Sequence, residues 1–122
     1  MKYVRVYADS DGESHFEDVG VEFTLVEFAP PAPPLNVSAF TPASRLGFLN
    51  APPGWYGDWH PAPRRQFIFY LAGELESEVS DGEVRRFGPG SVTLLEDTTG
   101  KGHTSRVVSS GELLGVVVQL EG

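Results

Sequence analysis

The sequence predicts an all-β domain, and three features carry that expectation. Its 122 residues include 14 Gly and 10 Pro, and the longest stretch free of both is the 11 residues from Met1 to Asp11. Helices average about 11–12 residues and tolerate Gly and Pro poorly in their interiors, so neither a helical bundle nor a βαβ array has room to form. The apolar fraction includes 14 Val and 8 Phe against one Ile and one Met. Short alternating runs punctuated by turn residues recur through the second half, as in a sandwich or barrel.

The elements follow in chain order. Residues Asp9 to Glu27 carry seven acidic side chains and no Lys or Arg, which reads as a solvated loop and strand edge. Within it, Val19 to Phe28 alternates apolar and other residues and predicts a strand. The run Ala29-Pro30-Pro31-Ala32-Pro33-Pro34 predicts an extended crossing that cannot join a ladder, because proline lacks the N–H donor. Pro52 to Pro63, again rich in Pro and Gly, reads as a loop. From Gln66 the pattern becomes regular. Gln66 to Ala72 is a strand, and Glu74, Glu76 and Glu78 alternate with Leu75, Ser77 and Val79 as a half-buried strand with a charged outer face. Asp81-Gly82 marks a hairpin, since Gly accepts positive φ without steric cost. Glu83 to Phe87 returns, Gly88-Pro89-Gly90 turns, and Ser91 to Glu96 runs forward. A turn at 98–102 leads to His103–Val108, and Leu113 to Leu120 closes the chain. There is no internal repeat and no linker, so residues 1–122 form one domain.

Charge and composition exclude several functions. Nine basic residues against 17 acidic ones leave a net charge of −8, the wrong sign for a nucleic-acid backbone or an anionic membrane surface. Cysteine is absent, which removes disulfides and thiolate metal sites. No apolar run approaches the ~18 residues of a membrane span, and the N-terminus lacks a signal-peptide core, so the expected location is cytoplasmic. Gly100-Lys101-Gly102-His103-Thr104 lacks the spacing of a phosphate-binding P-loop, and neither Gly-x-Ser-x-Gly nor His-Glu-x-x-His occurs.

One constellation remains. Gly54, His60, Gln66 and Gly73, followed by Thr98, Gly100 and His103, stand at the spacings of the two motifs of the small single-domain cupins, whose fold is a jelly-roll barrel or double-stranded β-helix. Residues 45–120 resemble that family. The first cupin motif is Gly, five residues, His-x-His, three or four residues, Glu, six residues, Gly. The second runs Pro-x-Gly, two residues, His, three residues, Asn. The resemblance implies a cupin barrel, a homodimer, and a divalent ion (Fe, Mn, Ni or Zn) held inside by His60, Gln66 and His103. The sequence departs from the motifs at Ala62, Gln66, Thr98 and Val107, which stand where the family has His, Glu, Pro and Asn. Two imidazoles and a carboxylate suit a non-haem divalent metal, and a neutral amide at Gln66 lowers that affinity.

Strand alternation places Gln66, Ile68 and Tyr70 on one face and Phe67, Phe69 and Leu71 on the other. The first face is expected to line the barrel and the second to be covered by the N-terminal strands or a second subunit. Trp55, Tyr56 and Trp59 are candidates for an aromatic wall at the pocket mouth, or ordinary packing there. Arg64 and Arg65 could meet an anionic ligand, or act as rim charges paired with the acidic surface. Glu96-Asp97 could supply a general base, or an exposed strand end with a turn-forming Asp. His15 reads as a surface or loop residue. Two functions remain open: a metal-dependent enzyme (oxygenase, isomerase or lyase type) acting on a small anionic organic molecule, and a ligand-binding or sensing module without metal or turnover.

Overall fold

A computed structural model describes residues 1–122. Twelve strands and no helix make up the regular structure: β1 (Lys2–Ala8), β2 (Ser14–Gly20), β3 (Thr24–Val26), β4 (Leu35–Val37), β5 (Ala43–Ala51), β6 (Tyr56–His60), β7 (Gln66–Ala72), β8 (Leu75–Val79), β9 (Val84–Phe87), β10 (Val92–Leu95), β11 (His103–Val107) and β12 (Leu113–Leu120). They form a six-stranded sheet in the order β2-β1-β10-β7-β12-β5, a four-stranded sheet in the order β6-β11-β8-β9, and a separate two-stranded sheet of β3 and β4. The two larger sheets face each other as a jelly-roll barrel.

The alternation seen in the sequence sets the inner face. On β8, Leu75, Ser77 and Val79 are buried while the intervening glutamates face outward, where Glu74 and Glu76 pair with Arg86. β7 turns Gln66, Ile68 and Tyr70 inward. Tyr70 stacks on Phe87 with ring centroids 5.7 Å apart, and Phe16 meets Phe87 edge-on. Around them Val6, Leu95, Val107 and Leu113 complete the core.

The N-terminal third departs from expectation in three places. The strand expected at Val19–Phe28 is split between β2 and β3, because β2 begins five residues earlier and pairs with β1 along its whole length. The proline run is not a crossing; it forms the loop of the β3–β4 hairpin, with Thr24 opposite Val37 and Val26 opposite Leu35. The Pro/Gly segment 52–63 is not all loop, because β6 pairs with β11 inside it. In the first case apolar alternation is ambiguous about where a strand starts; in the others the prolines sit outside the paired positions.

Outward from the barrel, Phe67, Phe69 and Leu71 of β7 lie beside Val116 and Val118 of β12, which in turn lie beside Phe48 and Leu46 of β5. From the N-terminal strands Tyr3 reaches this face, edge-on to Phe67 with centroids 5.3 Å apart, while Leu71, Phe48 and Leu46 stay exposed.

Candidate functional site

The barrel encloses a cavity of about 320 Å³ lined by 19 residues, 11 of them hydrophobic. Its polar groups come from strands whose inner positions the register dictates: Gln66 on β7, Thr93 on β10, Ser77 on β8, His103 and Ser105 on β11, and His60 on β6. No Lys, Arg, Asp or Glu lines it.

His60 and His103 are cross-strand partners, with ring centroids 4.6 Å apart. The register between β6 and β11 shifts between His103 and Ser105, so β6 carries an extra residue there. A bulge of this kind re-aims a side chain. It also lets Asp58 and Trp59 occupy the outside while Gly57 and His60 both serve the inside. Each imidazole is held from behind. The His60 Nδ1–H donates to the Asp58 carbonyl at 2.6 Å, and His103 Nδ1 lies 2.5 Å from Asp97 Oδ2. With Nδ1 as donor, Nε2 of an imidazole carries the lone pair that can meet a ligand.

Asp97 is fully buried, and its Oδ1 has no hydrogen-bond partner. The exposed turn expected at Glu96-Asp97 is therefore a buried support behind His103. The backbone explains it: Asp97 O accepts from Ala62 N, and Gly102, next to His103, packs its Cα against the His60 carbonyl. Glu96 points the other way, accepting from Arg5 at 2.5 Å and Arg65 at 2.6 Å. Burial would raise the Glu96 carboxyl, but the two guanidinium hydrogen bonds outweigh it and hold the pKa below the ordinary glutamate value. Tyr70 donates to or accepts from Thr93 at 3.2 Å, and burial pushes its phenol up to about 12, so it is a neutral hydroxyl in the barrel.

Of the residues singled out from sequence, His60, Gln66, His103, Tyr70 and Trp55 line the cavity, whereas Tyr56, Trp59 and Arg64 do not. Tyr56 lies outside, under the Arg106 guanidinium 5.1 Å from its ring. Arg65 is committed to Glu96, so neither arginine offers the cavity a positive charge. His15 is on β2 rather than in a loop, between Asp9 and Asp81. Sequence reasoning missed Leu49, Asn50 and Ala51, because β5 carries apolar residues on both faces and no alternation marks it as a strand.

The donor set falls short of what a divalent ion takes. Three protein ligands are the usual minimum. No three His, Cys, Asp or Glu side chains are arranged so that they could hold a metal ion. The third donor expected, Gln66 Oε1, accepts a hydrogen bond from Gln119 at 3.2 Å.

Comparison with known proteins bears on the fold. No family model and no curated protein matches the chain. Among solved structures it is similar to a cupin 2 conserved barrel domain protein from Salinispora arenicola, at 16% identity over 84% of this chain and 76% of that one, with a TM-score of 0.52. It is also similar to a cupin domain from Schizosaccharomyces pombe, at 12% identity over 98% and 88%, TM-score 0.51. A cupin domain from Bordetella pertussis gives 16% identity over 70% and 100%, TM-score 0.50. The chain has the cupin fold.

Proposed function

From this cupin-fold barrel we propose that the chain, as a homodimer, binds one small molecule with an apolar body and a neutral polar head, the head held at His60 and His103. The observation that carries the reading is the cavity lining: mostly apolar, no fixed charge, and two imidazoles whose Nε2 atoms are free beside the Gln66 amide. Small-molecule sites have this composition, an apolar body with a few placed polar groups. The anionic ligand expected from Arg64 and Arg65 loses its support, because both lie outside the lining. The test is thermal unfolding with benzyl alcohol and with benzoate as probes. The neutral probe should raise the midpoint more, and Ser105→Leu, which fills the cavity from β11, should remove the effect. A larger shift with benzoate, or an undiminished shift in Ser105→Leu, would sink the reading.

A second reading is the metal-dependent enzyme acting on a small anionic organic molecule. What favours it is the anchoring of both rings through Nδ1 to a carbonyl and a carboxylate, an arrangement common around metal-bound histidines. Metal content of protein purified without chelator separates the two. Stoichiometric Fe, Mn, Ni or Zn lost in His103→Ala supports the metal reading, as does a gain in Gln66→Glu. No metal in either the wild type or Gln66→Glu leaves the ligand-binding reading alone.

A further inference from the structure

Three of the cavity-lining residues are Trp, Tyr or Phe, and they differ in how the barrel uses them. Tyr70 and Phe87 are buried and stack on each other, so the core takes up their faces. Trp55 lines the same cavity yet is 43% exposed. It stands at the mouth.

The chain ahead of β6 fixes it there. Pro52-Pro53-Gly54 turns, with Gly54 at a φ of +78° and the Trp55 N–H donating to the Pro52 carbonyl at 3.1 Å. The turn is tied to the end of β11: the Gly54 N–H donates to the Val107 carbonyl at 3.1 Å, and the Val107 N–H donates to the Trp55 carbonyl at 2.9 Å. The register then places the ring. Gly57 stands opposite Ser105, and directly opposed residues of antiparallel strands point to the same face. Ser105 lines the cavity, so a side chain at Gly57 would lie inside the barrel. The indole takes that space: a Cβ on Gly57 would be 2.8 Å from Trp55 Cη2 and 3.2 Å from His60 Cε1. The φ of Gly57 is not positive, so glycine provides room here rather than an unusual backbone. Cε1 is bonded to Nε2, so the indole borders the edge of His60 that faces a ligand.

We propose that Trp55 is the stacking face of this site, and that the ligand is a planar aromatic or heteroaromatic molecule whose neutral polar substituent meets Nε2 of His60 and His103. This rests on the ligand-binding reading above and names its ligand class. A ring held rigidly, half in water and beside the polar anchor, is matched by a flat partner of similar size. Beyond the area it buries, an aromatic pair is worth about three- to ten-fold in affinity. The absence of charged side chains from the lining suits an uncharged ring system.

Benzyl alcohol and cyclohexylmethanol test it, because they carry the same neutral head on a flat ring and on a saturated one. The saturated ring is the more apolar, so a cavity that selects only for apolar bulk favours cyclohexylmethanol. By thermal-shift titration, benzyl alcohol should bind the wild type about three- to ten-fold more tightly, and Trp55→Leu should erase that preference. The chain has two tryptophans, and Trp59 lies outside the lining, so the emission of Trp59→Phe reports Trp55 alone. Benzyl alcohol should move that emission to shorter wavelength as it excludes water from the indole. Should Trp55→Leu fail to fold, this emission decides. Cyclohexylmethanol binding as tightly as benzyl alcohol overturns the stacking face and leaves the ligand-binding reading in place. So does a midpoint raised by benzyl alcohol with Trp55 emission unchanged. No midpoint shift with either alcohol overturns both.

Discussion

His103 and Asp97 form the most buried His–carboxyl pair in the molecule, with side chains 5% and 0% exposed. A carboxylate in that setting is retained only if its partner answers it. Removing it by Asp97→Ala deletes a charge-assisted hydrogen bond and leaves the His103 Nδ1–H unmatched, a loss of about 2–3 kcal/mol. Urea unfolding should show it, and a change below about 0.5 kcal/mol would mean the pair adds nothing. Gly102 is the second residue on which the site depends. Its φ is +72°, and a Cβ there would lie 2.0 Å from the His60 carbonyl oxygen. Left-handed backbone alone costs a non-glycine residue about 1–3 kcal/mol, and the neighbour here is backbone that cannot step aside. Gly102→Ala should therefore lower the thermal midpoint by more than any exposed glycine substitution, with Gly111→Ala, where a Cβ meets nothing, as the comparison.

At the level of elements, the end of the barrel near the β1–β2 turn is latched by polar side chains rather than by core. His15 on β2 donates toward Asp9 at 2.6 Å and Asp81 at 2.8 Å, joining that turn to the β8–β9 hairpin. Ser14, fully buried, donates to the Gly102 carbonyl at 2.6 Å, and Lys101 pairs with Glu13. The hydrogen bond to Asp9, then that to Asp81, raises the His15 pKa above its ordinary value. Asp9 is lowered chiefly by His15, and Asp81 chiefly by the Glu83 backbone N–H with His15 adding to it. A group raised on folding stabilises below its unfolded pKa and loses that contribution as pH rises through the folded one. The aspartates, lowered on folding, lose theirs as pH falls through their folded values. Stability should thus plateau between the two carboxylates and the imidazole and decline as pH climbs above about 6.5. His15→Gln should flatten the alkaline decline in urea midpoints measured across that range. An unchanged pH profile would show that the latch is not ionic.

For the whole molecule, stability and association are coupled if the chain is the homodimer proposed above. A partner that binds only the folded chain stabilises it by mass action, so the thermal midpoint should rise with protein concentration. A midpoint independent of concentration over a hundred-fold range would mark the chain as a self-sufficient monomer. The separate β3–β4 hairpin should open first, since it has no sheet but its own. Segment-resolved hydrogen exchange would reveal it as the earliest loss of protection on dilution.

The sequence by itself determined the second half of the barrel. From Gln66 onward the main turns are announced by Asp-Gly, Gly-Pro-Gly or a Gly-rich run, and on β8 one face is buried and the other is not, so period-two alternation identifies it. That same alternation turned Gln66, Ile68 and Tyr70 into the barrel, and motif spacing picked out His60 and His103. Tertiary structure alone decided the rest. β5 has both faces largely exposed over most of its length, so no hydrophobic asymmetry marked it. The bulge in β6 is a matter of register against β11, which no local pattern encodes. Asp97 looked like a surface turn residue because its neighbours in sequence are polar. It is buried because the 97–102 loop folds back onto the end of β6, placing a carboxylate beneath His103, and contacts between residues distant in sequence are set by the packing of whole sheets.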